Sequence, residues 1–498
     1  MKKFLGVLLV VVLLVGVLLA CGDKGGEGKG SQDRDGSPGG DDADEQGQGA
    51  DTVVPPPELP DLNLGGADFT IMTNDYGIPI WSQRDIGADE ETGDTVNDAV
   101  YRRNAVVGEK FNCRIVEKKE NDLYGQLTKY VKSGDAAIDA ATPRLFGALI
   151  GLTTANYLVE FSKLGYVDLS KPWWDQNCVR DMSIARKLFG VASDMTLMDK
   201  DSTTALVFNK KLQGDYQIEN LYQLVNGGKW TLDKLLELSK IVSIDVDGNG
   251  KRDDKDAYGL LYQRDSMTSF LSGCGEFVSR KDENDHPVMT LNTPKALDVL
   301  DKLFDILYDE NYCFHVMKFF DKTSKGFTEG MIEMFQDDRA LFMWIRMADV
   351  ENLRSMDTDF GILPMPKYNE QQEKYLQTVN PYVGIVTVVP QSAASVENSG
   401  IVLEAMAYES KYILQPAYYD IVLNTKIARD EESGKMLDII FGNRAYDIGE
   451  IFNFGEIGRE LPMMTQTFKR DIVSIYEKRI DKALKEIEKL VDTINGLE

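Results

Sequence analysis

Residues 245–256 have the sequence DVDGNGKRDDKD, a series of oxygen-bearing side chains at regular spacing. Calcium takes about six to eight hard oxygen ligands, and a loop of this length wraps them round one ion when a glycine allows the sharp turn. Gly250 occupies the turn position. The candidate ligands are Asp245, Asp247, Asn249, the backbone carbonyl of Lys251, Asp253 and Asp256. The spacing predicts a Ca²⁺ site, and a turn rich in Asp and Asn without an ion is the alternative.

Two predicted elements flank this loop and must position it. Thr231 has the residue type and place of a helix N-cap, and four leucines between positions 232 and 238 form the apolar side of the helix that follows. After the loop, Tyr258–Tyr262 has the composition of a buried strand. The ion would therefore hold together a helix-to-strand connection.

Strands and helices alternate along the first part of the folded sequence. Residues 68–72 and 113–116 are predicted strands, and residues 97–112 between them have the apolar spacing of a helix. A second helix over about 123–133 leads to a strand over 137–141. This alternation predicts βαβ units, a mostly parallel sheet and an α/β fold. Ligands of such sheets bind at the carboxyl ends of the strands.

Polar and aromatic side chains follow several of the predicted strands. An aromatic ring close to a forked cationic donor, as in Trp344 and Arg346, suits a polar ring-shaped ligand, although core packing is an equal alternative for Trp344. The candidate ligand contacts at these strand ends are Asp75, Tyr76, Trp81, Arg144, Asp194, Arg264, Asp265, Trp344, Arg346 and Tyr382.

The first 21 residues have the order of a secretory signal, with two lysines before an apolar run that ends at Ala20. Leu18-Leu19-Ala20-Cys21 resembles a bacterial lipobox, in which the cysteine is acylated and becomes the first residue after cleavage. An uncleaved membrane anchor is the alternative. Residues 22–63 are rich in Gly, Asp and Gln, so we expect a disordered linker. The folded part would then be tethered outside the cytoplasm.

Composition narrows the class of protein. A chain of 498 residues favours two domains or lobes. Its 81 acidic and 55 basic residues give a net charge of −26, which repels nucleic acid. With only two histidines, multi-histidine metal sites and histidine-dependent triads are nearly excluded. The cysteines apart from Cys21 have no CxxC spacing, so zinc is improbable, and disulfides and buried thiols both stay open for Cys113, Cys178, Cys274 and Cys313.

Six segments, in this order, carry a family resemblance. They are RRNAVVGEKFN (102–112), VDLSKPWWDQN (167–177), TALVFNKKL (204–212), GGKWTLDKLLELSK (227–240), MFQDDRALFMW (334–344) and DFGILPMPKY (359–368). Together they resemble the extracellular solute-binding proteins of ABC importers, in particular the sugar-binding group that includes maltodextrin-binding protein. The resemblance extends over about residues 66–450. It implies a two-lobed periplasmic-binding-protein type II fold with a ligand cleft, and a structural role for the calcium loop.

The function that this resemblance implies is capture of a carbohydrate, in particular an oligosaccharide, for delivery to an ABC permease. The protein would be a monomeric, lipid-anchored receptor without enzyme activity, on the outer face of a membrane in a Gram-positive type of envelope. The predicted boundaries are residues 64–210 and 363–430 for the first lobe, 211–362 for the second, and 431–498 for helices packed on both. A surface glycoside hydrolase with paired carboxylates and an adhesion or scaffold lipoprotein are the alternatives.

Overall fold

The fold is built on two separate β-sheets, each covered by helices. The computed structural model describes residues 54–75, 77, 82–317, 327–424 and 431–497. The predicted signal and Cys21, Tyr76 and Trp81 lie outside the described residues. The strands are β1 (Ala67–Asn74), β2 (Cys113–Glu120), β3 (Ala140–Ala141), β4 (Thr204–Asn209), β5 (Tyr258–Tyr262), β6 (Ser279–Lys281), β7 (Pro287–Met289), β8 (Cys313–His315), β9 (Ala340–Arg346), β10 (Phe360–Leu363), β11 (Gln377–Thr378) and β12 (Arg444–Ala445).

The helices alternate with these strands through most of the chain. Those before β8 are Thr95–Phe111, Leu123–Ser133, Ile150–Thr154, Gln176–Met182, Met198–Asp201, Lys210–Asp215, Leu221–Asn226, Leu232–Val242, Ser266–Gly273 and Pro294–Leu307. Those after β8 are Phe327–Gln336, Val396–Asn424, Glu431–Gly442, Ile448–Phe452, Glu460–Thr467 and Ile472–Asn495. The predicted cap is confirmed, because the Thr231 hydroxyl accepts a hydrogen bond from the Lys234 amide at 3.4 Å.

The first lobe surrounds a sheet with the strand order β2-β1-β3, and both pairs of strands are parallel. Helix Thr95–Phe111 connects β1 to β2, which is the predicted βαβ unit, and it packs against helix Val396–Asn424. Val388 and Thr387 add antiparallel bridges to Ala141 and Val191. The β-branched segment 382–389 is therefore bound at single points to two neighbours, rather than forming the continuous strand that its composition predicts.

The second lobe surrounds a mixed sheet with the order β10-β4-β9-β5-β8. Strand β4 is antiparallel to both β10 and β9, whereas β5 is parallel to β9 and β8. The predicted boundary after residue 210 assigns β4 to the first lobe, but its hydrogen bonds place it inside this second sheet. Every residue of β4 is buried, as expected for a central strand.

Segments that run between the lobes are hydrogen-bonded to one another. The Asn380 amide donates to the Ser202 carbonyl at 3.0 Å, so two of these segments run side by side, and β11 pairs with β12 of a later segment. After β12, helix Glu460–Thr467 contacts helix Ser266–Gly273 of the second lobe, and Ile472–Asn495 reaches helix Ile150–Thr154 of the first. Among the described residues, none of the helices has the length and apolar character of a membrane span.

The cysteines that the sequence left open are resolved by the structure. Cys113, Cys178, Cys274 and Cys313 are free thiols, and all of them are buried. Burial raises the pKa of the Cys178 thiol well above its usual value, so this thiol stays protonated and unreactive at neutral pH.

Candidate ligand site between the lobes

Tyr382 lies directly after the connection that returns the chain to the first lobe. Its amide donates to the Asn380 side chain at 3.0 Å, and its half-buried ring packs against the buried cluster of Met198, Val383 and Ile385. The ring centroid of Phe146 lies 4.6 Å from that of Tyr382. The two rings form an aromatic pair on the first lobe.

The loop after β3 positions Phe146 against Tyr382. The Leu145 amide donates to the Gly384 carbonyl at 2.9 Å, and the Phe146 amide donates to the Pro381 carbonyl at 3.0 Å. Gly147 has a φ of 80°, a left-handed conformation that glycine adopts without strain. Arg144 begins this loop, and its backbone bridges to Ile385, so the structure brings the candidate Arg144 near the aromatic pair.

Charged groups of the second lobe and of the C-terminal part of the chain lie near enough to Tyr382 to affect its pKa. Arg264 and Asp265 follow β5, and Arg264 Nε lies 2.9 Å from Asp265 Oδ1. Burial raises the pKa of Tyr382, the carboxylates of Glu450 and Asp265 raise it further, and Arg264 and Arg459 oppose them. Arg264, Asp265 and Tyr382 are therefore brought together, as expected for residues at strand ends.

Glu450 is a residue of this site that the sequence did not single out. It lies in the short helix Ile448–Phe452, and Asp447 caps that helix by accepting from the Gly449 amide at 2.9 Å. Glu450 is buried, and burial together with the carboxylates of Asp447 and Asp265 raises its pKa well above the usual value. A neutral carboxyl group at this position can both donate and accept a hydrogen bond.

Four other candidate contacts have partners within the protein or lie apart from the aromatic pair. The Asp75 carboxylate closes its own turn by accepting from the Gly77 amide at 2.9 Å. Trp344 is fully buried in β9, where it pairs with Leu206, in agreement with the core-packing alternative. The other two, Arg346 and Asp194, are bound to charged neighbours, at 2.8 Å to Asp349 and 3.5 Å to Lys200 respectively.

Asp194 belongs to a buried ionic network beside the connections between the lobes. Arg444 of β12 lies 2.8 Å from Asp175 and 2.7 Å from Asp199, and Lys200 lies 3.5 Å from both Asp199 and Asp194. These charges compensate one another out of water, which is the condition under which buried ions are tolerated. The network joins the first lobe to two of the segments that connect the lobes.

The loop 245–256 forms the helix-to-strand connection that the sequence predicts. Carboxylate oxygens of Asp245, Asp247 and Asp256 lie within 4.8 Å of one another. Asp256 is buried, and its carboxylate accepts from the Val246 amide at 3.0 Å and from the Asp253 amide at 2.9 Å. Three of the six predicted ligands are thus gathered by the fold, and their hard oxygens are of the kind that a calcium ion takes.

No family model and no curated protein matches the sequence. Solved structures do match. UspC of M. tuberculosis is 13% identical with a TM-score of 0.56, covering 84% of this chain and 100% of its own. A cyclo/maltodextrin-binding protein complexed with maltotetraose is 14% identical with a TM-score of 0.52, covering 86% and 98%.

A third solved structure is the ABC substrate-binding protein Lmo0181 of Listeria monocytogenes in complex with cycloalternan. It is 11% identical with a TM-score of 0.50, and the match covers 87% of this chain and 100% of that one. At sequence identities this low, the structural similarity shows the fold alone. The predicted fold class is therefore confirmed: the chain has the two-lobed α/β fold of the periplasmic-binding-protein type that solute-binding proteins of ABC transporters adopt.

Proposed function

We propose that this protein is a lipid-anchored extracellular solute-binding protein, which captures a carbohydrate and delivers it to the permease of an ABC transporter. The observation that carries the proposal is the Phe146–Tyr382 aromatic pair of the first lobe, with Arg264 and Asp265 of the second lobe near enough to act electrostatically on Tyr382. Sugars present apolar ring faces and polar hydroxyl groups, and this site offers a partner to each. The solved structures with maltotetraose and with cycloalternan share the fold and so support the proposal.

Each side chain has a distinct part in the proposed capture. The aromatic pair stacks on a sugar ring, the Arg264 guanidinium donates to hydroxyl oxygens, and Asp265 accepts from hydroxyl groups. Glu450 is buried beside this group, where burial raises its pKa, and it helps to set the electrostatic environment of Tyr382. Rotation of the lobes about the connecting segments buries the ligand and removes water from these bonds.

The proposed receptor is tethered to the membrane by a lipid anchor and a linker. An acyl chain on Cys21, followed by the linker 22–63, keeps the receptor near its permease on the outer face of the membrane. In a Gram-positive type of envelope, which has no outer barrier, an untethered receptor would be lost to the medium. The receptor acts as a monomer in this scheme.

Carbohydrate binding is tested by thermal shift with a panel of oligosaccharides, followed by calorimetry on any that raise the melting temperature. We expect Tyr382→Ala to weaken binding about tenfold, because the stacking surface is lost, whereas Tyr382→Phe keeps it. Tyr216→Ala, which removes an exposed ring of the second lobe, is the matched control. The lipid anchor is tested by labelling cells that express the protein with a radioactive fatty acid. We expect the label on the protein to be lost in Cys21→Ala.

Three outcomes would contradict this proposal. Chromatography that shows the sugar converted would favour the glycoside hydrolase, and a panel without a single stabilising sugar would favour the scaffold lipoprotein. Fatty-acid labelling that persists in Cys21→Ala would contradict the anchor alone.

We further propose that Ca²⁺ binds the loop 245–256 in a structural role. Asp245 accepts from the amides of Gly248 and Gly250, both at 2.8 Å, so the loop already has the curvature that presents its carboxylates to one point. An ion there offsets two of the three negative charges of these neighbouring carboxylates and fixes the start of β5, whose other end leads to Arg264 and Asp265.

Calcium should raise the free energy of unfolding by about 2.7 kcal/mol when its concentration is roughly a hundred times the Kd. Asp247→Asn should shift this stabilisation to higher calcium concentrations, because one charged ligand is lost. Asp254→Asn, a change in the same loop outside the ligand positions, is the matched control. Urea unfolding with and without calcium measures all three chains. Equal calcium dependence in Asp247→Asn and Asp254→Asn would contradict the site.

A further inference from the structure

Residues 183–187 form a tight turn on the surface of the first lobe. Ile184 and Lys187 exchange both backbone hydrogen bonds at 3.0 Å, and between them Ala185 and Arg186 have φ values of 50° and 62°. Non-glycine residues in this left-handed region each cost about 1–2 kcal/mol, so surrounding contacts must hold the turn in place. The next residue, Leu188, ties the turn to the first lobe by accepting from the Phe161 amide at 2.8 Å.

A hairpin of the second lobe holds this turn from one side. The hairpin consists of β6, β7 and the residues between them, and Asp285 lies at its tip. The Asp285 carbonyl accepts from the Ala185 amide at 2.9 Å, and its carboxylate accepts from the Arg186 amide at 2.9 Å and the Ser183 hydroxyl at 3.1 Å. Lys281 of the same hairpin donates to the Ser183 hydroxyl at 2.7 Å and pairs with Asp285.

The C-terminal helix holds the same turn from another side. Lys187 Nζ donates to the carbonyl of Ile494 at 2.8 Å and to that of Leu497 at 2.5 Å, which satisfies acceptors at the helix end. The start of this helix is bound to the second lobe, because Arg470 lies 2.6 Å from Asp305 of helix Pro294–Leu307. The helix therefore extends from one lobe to the other and ends on the turn that the hairpin also binds.

We propose that residues 183–187, together with Asp285, Lys281 and the end of helix Ile472–Asn495, form an interlobe clamp that holds the lobes in the arrangement of this structure. Both contacts come from separate parts of the chain and converge on five consecutive residues, so separating the lobes at this edge requires both to break. That opening of the clamp admits and releases ligand rests on the proposed function.

The clamp is tested by the distance between two spin labels, measured without ligand by electron paramagnetic resonance. Lys129→Cys and Glu237→Cys place the labels on exposed helix positions of the first and the second lobe. The full-length chain carries Cys21→Ser, and its other four cysteines are buried, so the introduced thiols are the ones labelled. The readout is the proportion of molecules with a long interlobe distance.

Asp285→Gly removes the carboxylate while glycine keeps the left-handed backbone, since Asp285 has a φ of 65°. We expect the clamped-to-open ratio to fall about tenfold, which corresponds to about 1.4 kcal/mol of lost hydrogen bonding. Lys187→Met, which keeps the apolar stem, removes the helix contact alone and should shift the ratio in the same direction.

The matched controls change equivalent residues within the second lobe. Asp338→Gly replaces another aspartate at positive φ, whose carboxylate binds Asn209 and Thr358 of the same lobe. Lys211→Met removes an exposed lysine that pairs with Asp215 of its own helix. We expect both controls to keep the distance distribution of the unmodified chain.

An unchanged distribution in both Asp285→Gly and Lys187→Met would overturn the clamp, and so would equal broadening in the controls. The result is independent of the ligand. If no carbohydrate binds but the clamp variants open, the proposed function fails and the clamp stands. If a carbohydrate binds and the clamp variants stay closed, the clamp alone fails.

Discussion

Arg444→Met is expected to lower the free energy of unfolding by about 3–5 kcal/mol, the cost of leaving the buried carboxylate of Asp175 without a cationic partner. Arg444 is buried, and its guanidinium lies 2.8 Å from Asp175 and 2.7 Å from Asp199. Asp175 keeps only neutral donors without it, among them the Tyr446 hydroxyl at 2.7 Å. Urea unfolding, followed by circular dichroism, measures the loss.

Arg470→Met is the matched control for this loss. Arg470 also pairs with an aspartate, Asp305, but half of its side chain is exposed. Because exposed pairs contribute about 0–1 kcal/mol, this substitution should change the free energy of unfolding little. A loss in Arg444→Met no larger than that in Arg470→Met would show that the network is dispensable for stability.

Local patterns explain which elements could be predicted from the sequence. Helix Leu123–Ser133 and the cap at Thr231 follow from apolar spacing and side-chain type within a few residues, and the structure has both. The lobe to which β4 belongs could not be predicted in this way. Its apolar composition suits a buried strand in either sheet, and it lies in the second lobe because it pairs with β9 and β10, more than a hundred residues further along the chain.

The same distinction applies to the candidate site. Arg264 and Asp265 could be predicted because a polar side chain after a strand lies at the edge of the sheet. Phe146 and Glu450 could not, since Phe146 is an apolar side chain two residues beyond the polar Arg144, and Glu450 lies in the short helix Ile448–Phe452, whose place depends on the path of the whole chain. Trp344 and Arg346 also follow the strand-end rule, but the buried neighbours of β9 enclose them.

Arg444 and the interlobe clamp lie on segments that extend between the lobes. The ionic network around Arg444 binds β12 to the first lobe, and the clamp binds the end of helix Ile472–Asn495 to the same lobe. The segment from β12 to the end of this helix is therefore held at both ends. Between these two points the segment carries Glu450 and Arg459, whose charges act on Tyr382. The segment therefore brings electrostatic partners of Tyr382 to the first lobe.

Glu404 is expected to make the free energy of unfolding depend on pH. Its two carboxylate oxygens accept from the indole N–H groups of Trp173, at 3.0 Å, and Trp174, at 2.8 Å. Burial raises its pKa from 4.5 to about 7, against the opposing effect of these hydrogen bonds. Because the folded-state pKa is the higher one, its stabilising contribution is complete below pH 4.5 and is lost as the pH rises through about 7.

Glu404→Gln should lower the free energy of unfolding by about 1–3 kcal/mol, because its single acceptor oxygen leaves one buried indole N–H unpaired. The decline in stability expected of the unmodified chain between pH 4.5 and about 7 should also flatten, since the titrating group is gone. Glu397→Gln, an exposed change in the same helix, should keep the wild-type decline. Urea unfolding across this pH range measures both effects. An undiminished decline in Glu404→Gln would assign the pH dependence to other buried carboxyl groups. Asp447, with a pKa of about 6, is the first of these to test.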